Sequence, residues 1–270
     1  MRNKLMRKWF ILPVFGLLMA AMVLAGCTTT TTITEAGSTS VQPLAELLAE
    51  AYMKVNPDVQ VTVSGGGSTT GVKSAAEGTV DIGAASRELK TEEESTVVKH
   101  LLCRDSIAIV VHPSNPVEGL TMEQVKDIFT GVITNWSEVG GPNADILVVA
   151  REEGSGTRGA FDEIVLDEED TVATAILQPS NGAVRTAVTG DPNAIGYIGL
   201  GYLSSATKAL KIDGVECNAD NARTGKYPVV RPLYFLTKEE PKGEVKKFID
   251  FCTSEAAQAI VEYEGFISVY

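Results

Sequence analysis

The spacing of hydrophobic positions alternates between two periods along the chain. Apolar residues recur at helical spacing from Leu44 to Val55, and Val59, Val61 and Val63 then alternate as in a half-buried strand. Helical and extended patterns keep alternating to the C-terminus, where YPVVRPLYFLTK favours a strand and GEVKKFIDFCTSEAAQAIVEY favours one or two amphipathic helices. This alternation predicts an α/β fold with mostly parallel sheets flanked by helices.

Shorter patterns between these segments predict further elements. TVDIGAAS and DILVVAR indicate strands, and SIAIVVH is a continuous apolar run typical of a strand covered on both faces. A capping box of Thr121 and Gln124 predicts a helix that begins just before Val125. No repeat of fixed period is present in the sequence.

The first residues have the composition of an export signal. Four basic residues, at positions 2, 4, 7 and 8, precede an uncharged apolar run from Trp9 to Gly26 that ends in small residues. The alternative is a permanent membrane-spanning helix, but this run barely reaches spanning length and contains Pro13 and Gly16. The pattern therefore predicts a signal peptide over residues 1–26.

The cysteine after this run has its own interpretation. LAGC resembles a bacterial lipobox, which implies that Cys27 becomes the lipidated first residue and anchors the protein to the outer face of the cell membrane. The threonine-rich stretch behind it has no helical period. It predicts a lipid-anchored tether over residues 27–32, with the folded part beginning near Ile33.

Charge and cysteine content restrict the partners. The chain has 35 Asp and Glu against 23 Lys and Arg, and loss of the leader takes the net charge from −12 to −16. Nucleic acid and anionic lipid surfaces are therefore poor partners. Cys103, Cys217 and Cys252 could form one disulfide, and their wide spacing does not fit a structural metal site. We expect no metal and no cofactor.

Three segments place Gly, Ser and Thr where a helix is predicted to begin. They are AGSTSVQP (36–43), SGGGSTTG (64–71) and EEGSGTRG (152–159). The first turn of a helix has unpaired N–H groups and a partial positive charge, and glycine lets a ligand approach the backbone. Each segment alone is also explained by ordinary N-caps. Three of them, together with Arg87 and Arg151, favour a site for a small oxyanion.

Motifs for other functions do not occur in the sequence. G-x-x-x-x-G-K and a strand-linked G-x-G-x-x-G are absent, which argues against a nucleotide. G-x-S-x-G is absent, and His112 lies in no pattern that suggests a catalytic triad. Glu152 and Glu153 are adjacent, so their carboxylates point apart. We expect a binding protein rather than an enzyme.

In combination, the segments resemble the extracytoplasmic phosphate-binding proteins of phosphate-specific ABC transporters. The matching segments, in the family's order, are AGSTSVQP, SGGGSTTGV, VDIGAASR, GVITNWSEVGG, REEGSGTRGAF and AIGYIGLGYL. The resemblance implies a two-lobed periplasmic-binding-protein fold with the ligand in the cleft. Lobe I would comprise residues 33–111 and 229–270, and lobe II residues 112–228. It also implies a monomer that binds inorganic phosphate and delivers it to the permease subunits.

The resemblance assigns a set of phosphate-binding residues. They are Thr39, Ser40, Ser68, Ser86, Arg87, Arg151, Ser155, Gly156 and Thr157. Arg151 would clamp the anion bidentately, and the Ser, Thr and Gly residues of the set would give neutral donors, so the negative net charge is no obstacle.

Selectivity depends on Ser86, where some family members have an aspartate that accepts the proton of hydrogen phosphate. A serine can accept or donate, so rejection of sulfate is left open. Glu152, Glu153 or Asp81 could supply the acceptor instead, although Asp81 is better explained as a strand-end acid bonded to nearby backbone.

Other functions fit the same pattern. The same fold could bind sulfate, molybdate or tungstate, or serve as a surface phosphate sensor or adhesin that is not coupled to transport. A hydrolase of phosphate esters that uses Ser155 is a third alternative.

Overall fold

The computed structural model describes residues 30–270. The signal peptide predicted over residues 1–26 and the anchor Cys27 lie outside the described residues. The strands are β1 (Thr31–Gly37), β2 (Val59–Gly65), β3 (Ile82–Ala85), β4 (Val98–Val111), β5 (Gly119–Leu120), β6 (Leu147–Arg151), β7 (Ile176–Gln178), β8 (Ala194–Gly199), β9 (Lys208–Ala209), β10 (Lys211–Ile212) and β11 (Val230–Thr237). The α-helices are α1 (Gln42–Val55), α2 (Ser68–Glu77), α3 (Thr91–Glu94), α4 (Met122–Thr130), α5 (Gly156–Phe161), α6 (Asn181–Gly190), α7 (Ala219–Arg223), α8 (Gly243–Cys252) and α9 (Glu255–Tyr263). A π-helical turn, Asp162–Leu166, continues α5.

A nine-stranded sheet runs through the described chain in the order β2-β1-β3-β11-β4-β8-β6-β7, with β9 beside β4. The pairs at its two ends, β1 with β2 and β3, and β6 with β7 and β8, are parallel. The central strands β11 and β4 run antiparallel to their neighbours. The α/β class predicted from the alternating pattern is confirmed, with an antiparallel seam between two parallel sets.

Strand β4 is shared by two halves of the molecule. Residues 98–106 pair with β11, whereas residues 107–111 pair with β8. Ile107, Ile109 and Val111 accordingly pack in one core with Phe129 and Tyr197. We therefore use "first half" for residues 30–106 and 229–270, and "second half" for residues 107–228. The predicted lobe I reached residue 111, and these contacts favour a division five residues earlier because one continuous strand crosses between the halves.

The helices predicted from a capping box and from apolar spacing are present in the structure. Thr121 Oγ1 accepts from the N–H of Gln124 at 3.1 Å, and the Gln124 side chain accepts from the N–H of Thr121 at 2.9 Å, so the capping box is formed. Helix α1 buries Leu44, Leu48 and Tyr52 as its apolar spacing predicts. Val55, at the end of the same stripe, is 70 % exposed because the helix stops there.

The start of the folded part differs from the prediction. Strand β1 begins at Thr31 and pairs with β2 from Thr31 opposite Val59 onward. The predicted tether over residues 27–32 therefore extends too far by two residues. Threonine is β-branched and favoured in strands, so a threonine-rich stretch beside a strand partner pairs instead of remaining a linker.

The three cysteines of the described chain are free thiols: Cys103 and Cys252 are buried and Cys217 is half-buried. The disulfide considered above is not formed among them. Within residues 30–270, none of the helices combines the length and the apolar character needed to span a bilayer.

Glu35 is an acidic residue inside the core of the first half. Its side chain projects from β1 and is 2 % exposed, and neither carboxylate oxygen has a hydrogen-bond partner within residues 30–270. Burial, reinforced by the negative charge of Glu46, raises the pKa of Glu35 to about 8. The folded protein therefore holds a proton near neutral pH that the unfolded chain releases.

We expect the free energy of unfolding to fall as pH rises from about 5 to about 8, because the unfolded state binds fewer protons than the folded state there. Glu35→Gln should remove this slope and increase stability at pH 7 by up to about 3 kcal/mol. Urea unfolding of both proteins at several pH values measures the effect. Parallel pH profiles for the two proteins would show that Glu35 is ionised in the folded state.

Candidate functional site

Buried hydroxyl groups meet where the two halves of the molecule touch. Ser40, Ser68, Ser86 and Thr157 are between 0 and 3 % exposed. They come from the loop after β1, the start of α2, the end of β3 and the first turn of α5. Ser40 Oγ and Thr157 Oγ1 lie 3.0 Å apart, which joins the first half to the second. The structure thus brings four predicted site residues together from four elements.

Ser38 is a further member of this group that the sequence analysis missed. Its hydroxyl donates to Ser86 Oγ at 2.8 Å and accepts from the N–H of Ser40 at 3.1 Å. Ser68 Oγ accepts from the N–H of Ser86 at 3.0 Å. We call Ser38, Ser40, Ser68, Ser86 and Thr157 the interlobe cluster. Ser38 lies in the segment AGSTSVQP. From this segment the sequence analysis selected only Thr39 and Ser40 as phosphate-binding residues.

Gly156 closes the contact between the halves. A Cβ atom at this position would lie 2.7 Å from Ser86 Oγ and would also overlap Ser68 Oγ. Nearby, the N–H of Thr69 donates to the carbonyl of Gly154 at 3.1 Å, from one half to the other. Glycine at 156 is thus required by the close approach of the two halves.

Arg151 lies beside the cluster at the end of β6. It is 2 % exposed, and its guanidinium donates to the carbonyls of Gln178 at 3.1 Å and Pro179 at 2.9 Å and to Thr157 Oγ1 at 3.4 Å. No carboxylate forms an ion pair with it among the residues that the structure describes. Burial lowers the pKa of Arg151 to about 10, against a smaller opposing effect of Tyr197. The guanidinium is therefore a buried cation with neutral partners only.

A second arginine reaches the cluster from the first half. Arg231, on β11, is 1 % exposed and donates through Nη2 to Ser40 Oγ at 2.9 Å and to Asp105 Oδ2 at 2.7 Å. Its Nη1 group donates to the carbonyl of Ser86 at 3.3 Å. The sequence analysis named neither Arg231 nor Asp105. Arg231 is the one charged residue of β11, and a charge in such a strand is the signal that could have found it. Asp105 stands beside Arg104 and Ser106 in β4, so its sequence neighbours give no such signal.

Asn181 joins the cluster from the first turn of α6 and was also missed. Its amide nitrogen donates to Ser40 Oγ at 2.8 Å and to Thr39 Oγ1 at 3.2 Å. Thr39 is thereby placed at the rim of the cluster, where its carbonyl also accepts from the Tyr202 hydroxyl at 2.7 Å. Ser180 caps α6, so PSNG is a fourth polar helix start of the kind that the sequence analysis listed three times.

Two of the predicted site residues have other partners. The Arg87 guanidinium is paired bidentately with Glu93, at 2.7 and 2.8 Å, and lies in a side groove of about 430 Å³ rather than in the cluster. The Ser155 hydroxyl accepts from the N–H of Arg158 at 3.2 Å and so caps its own helix. The Arg87 guanidinium thus lies outside the interlobe cluster, paired with its local partner Glu93, in a groove that Ser155 also lines.

None of the alternative acceptors considered for a phosphate proton reaches the cluster. Glu152 and Glu153 are exposed. The Asp81 carboxylate accepts from the N–H and the hydroxyl of Thr34, both at 2.8 Å, as expected for a strand-end acid. The interlobe cluster of hydroxyls is therefore surrounded by the Asn181 amide, the guanidiniums of Arg151 and Arg231, and the Asp105 carboxylate paired with Arg231. With two cations and one anion, this group of side chains favours a small anion with several oxygens.

Comparison with known proteins agrees with this chemistry. Residues 25–256 match the model of the PBP superfamily domain. The phosphate-binding protein PstS of Bacillus subtilis is 37 % identical over 242 residues, which cover 88 % of this chain and 80 % of that protein. The chain belongs to the PstS-type proteins of the PBP superfamily. PstS of Borreliella burgdorferi is 33 % identical over 247 residues, with 86 % and 88 % of the two chains covered.

Solved structures support the fold of this PstS-type chain. A Clostridium perfringens protein assigned as a phosphate ABC transporter substrate-binding protein, crystallised with bound phosphate, is 44 % identical and superposes with a TM-score of 0.87 over 89 % of this chain and all of that chain. An ABC-type phosphate transport receptor from Vibrio cholerae is 36 % identical, with a TM-score of 0.73 over 87 % and 99 % of the chains. The periplasmic-binding-protein fold expected from the resemblance is confirmed.

Proposed function

We propose that the protein captures inorganic phosphate outside the cytoplasm and presents it to the permease subunits of an ABC transporter. The observation that carries this proposal is the Arg151 guanidinium, which is buried among hydroxyl groups with no carboxylate partner within residues 30–270. An unpaired buried charge is costly, so an anion that enters here completes the site. No covalent bond is made or broken in this function.

The roles of individual residues follow from their positions. Arg151 supplies the charge-assisted hydrogen bonds to the phosphate oxygens. Ser40, Ser68 and Thr157 supply neutral donors from both halves of the molecule. Gly156 allows the second half to approach closely enough for one anion to touch all of them. Donors from two halves on one ligand make closure of the cleft and capture of phosphate the same event.

The segments that cross between the halves are the expected hinges. They are the middle of β4, near Ser106 and Ile107, and the start of β11, near Val229 and Val230. A few residues at each crossing are enough to absorb a change in backbone angles. A closed, phosphate-loaded form then presents a surface to the permease that the open form does not.

Localisation is part of the same proposal. The leader over residues 1–26 and the LAGC sequence support export and lipid attachment at Cys27, which would keep the protein beside the permease. A membrane-bound receptor raises the local concentration of captured phosphate at the transporter.

Titration calorimetry tests the proposal directly. The mature protein is solubilised in detergent, unfolded and refolded to remove bound anion, and titrated with phosphate. We expect saturable binding of one phosphate per chain and an increase in the unfolding temperature with phosphate concentration. A refolded protein that shows neither effect with phosphate would refute the function.

A further inference from the structure

Tyr202 reaches from the second half of the molecule to the first. Its hydroxyl donates to the carbonyl of Thr39 at 2.7 Å, and this is the only hydrogen bond of that hydroxyl within residues 30–270. Burial, reinforced by the negative charge of Glu46, raises the pKa of Tyr202, so the hydroxyl stays protonated. The bond is therefore a neutral link between the halves that pH does not switch off near neutrality.

The ring of Tyr202 belongs to the second half. It packs against the apolar cluster that contains Val184 and Val188 of α6. The Arg185 guanidinium lies 5.9 Å from the ring centroid, and its Nη1 group donates to the Tyr202 carbonyl at 3.4 Å. Because the ring is held by residues of its own half, the hydroxyl moves with that half when the halves separate.

Thr39 is held from the second half at two atoms. Its carbonyl accepts from Tyr202, and its Oγ1 accepts from the Asn181 amide nitrogen at 3.2 Å. Thr39 lies in the turn between β1 and α1, next to Ser40, whose hydroxyl lies 3.0 Å from Thr157 Oγ1. A bond to Thr39 therefore holds the turn that presents Ser40 to the second half.

The position of Tyr202 relative to the crossing strand decides what this bond does. Leu200 begins the same short turn, and its N–H donates to Asp105 Oδ1 at 3.0 Å, beside the point where β4 crosses between the halves. A contact at the crossing persists when the halves rotate about it. Tyr202 ends the turn, and its hydroxyl contacts the loop before α1 instead of β4. This contact separates when the cleft opens.

We propose that Tyr202 is a positioning residue that latches the closed form through Thr39 and so slows the release of phosphate. This inference rests on the proposed function. The hydroxyl does not touch the anion, and it acts through the turn that carries Ser40. Bound phosphate leaves only after the Thr39 bond has broken, whereas phosphate enters the open form, in which that bond is absent. The latch therefore acts on the dissociation rate and not on the association rate.

Tyr202→Phe tests this inference, because it removes the hydroxyl and keeps the ring beside Arg185. The mature protein in detergent is loaded with radiolabelled phosphate, and its release into an excess of unlabelled phosphate is followed by rapid filtration. We expect the dissociation rate to rise about fivefold, which corresponds to the loss of one neutral hydrogen bond. The Kd from calorimetry should rise by the same factor, so the association rate should not change.

Tyr234→Phe is the matched control. The Tyr234 hydroxyl lies 3.1 Å from both carboxylate oxygens of Glu88, and both residues belong to the first half. Opening of the cleft does not break this contact, so the variant should release phosphate at the wild-type rate.

Thermal unfolding separates a latch from a structural contact. Tyr202→Phe should leave the unfolding temperature of the phosphate-free protein unchanged and should reduce the rise that phosphate produces. An unchanged dissociation rate, a slower association, or an equal loss of stability with and without phosphate would each overturn the inference alone. A wild type that binds no phosphate would instead overturn the proposed function.

Discussion

Replacing Arg151 by alanine is expected to weaken phosphate binding about a hundredfold. The guanidinium supplies the charge that the hydroxyls of the cluster cannot, and hydrogen bonds to charged groups contribute about 1.5 to 3 kcal/mol each. The same change should not lower the stability of the phosphate-free protein as a core truncation would. It removes a buried cation that has only the neutral partners Gln178, Pro179 and Thr157 among the described residues.

Calorimetry with phosphate and urea unfolding without it measure the two effects separately. Lys54→Ala is the control, because Lys54 is exposed and its ion pair with Glu50 at 3.9 Å lies within helix α1. It should change neither quantity by more than a few tenths of a kcal/mol. Unchanged phosphate affinity in Arg151→Ala would remove Arg151 from the site. A large loss of stability in the phosphate-free protein would show that Arg151 has a structural role instead.

The sequence predicts those parts of the site that depend on a few neighbouring residues. The glycine and hydroxyl segments at 36–43, 64–71 and 152–159 each lead into a helix, and Ser155 caps the third of these helices with its side chain. The N-cap residues of the first two helices, Val41 and Gly67, form no side-chain cap. The convergence of the three segments follows from the fold, since the loops leave the carboxyl ends of β1, β2 and β6. The resemblance supplied that fold, and no local pattern would have done so.

The residues that sequence analysis missed act over long separations. Arg231 and Asp105 are 126 positions apart, and Asn181 and Ser40 are 141 positions apart. Their roles depend on which strands become neighbours at the crossing between the halves, and side-chain periodicity does not encode this. Arg87 illustrates a local contact that the sequence analysis did not include. It ends the segment VDIGAASR and was predicted to contact the ligand, and in the structure Glu93, six residues on, pairs with its guanidinium.

Gly156→Ala is expected to weaken phosphate binding about a hundredfold without unfolding the protein. The added methyl group would lie 2.7 Å from Ser86 Oγ and overlap Ser68 Oγ, so the halves cannot reach the closed contact without displacing hydroxyls of the proposed phosphate site. An open form has no such overlap, and alanine favours a helix over glycine by about 1 kcal/mol. The substitution therefore acts on the closed form alone.

Gly182→Ala is the matched control for this prediction. It lies in the first turn of α6, beside the site, and its Cβ would meet only Ser180 Oγ at 3.8 Å and a Tyr202 ring carbon at 3.9 Å, which are ordinary contacts. Phosphate calorimetry should separate the two variants, and small-angle scattering should show phosphate-dependent compaction in Gly182→Ala but not in Gly156→Ala. If Gly156→Ala bound phosphate tightly and became compact like the wild type, the contact between Gly156 and the serines would not belong to the ligand-bound form. The neighbouring contact of Thr69 with Gly154 would then be the remaining link between the halves near this end of the cleft.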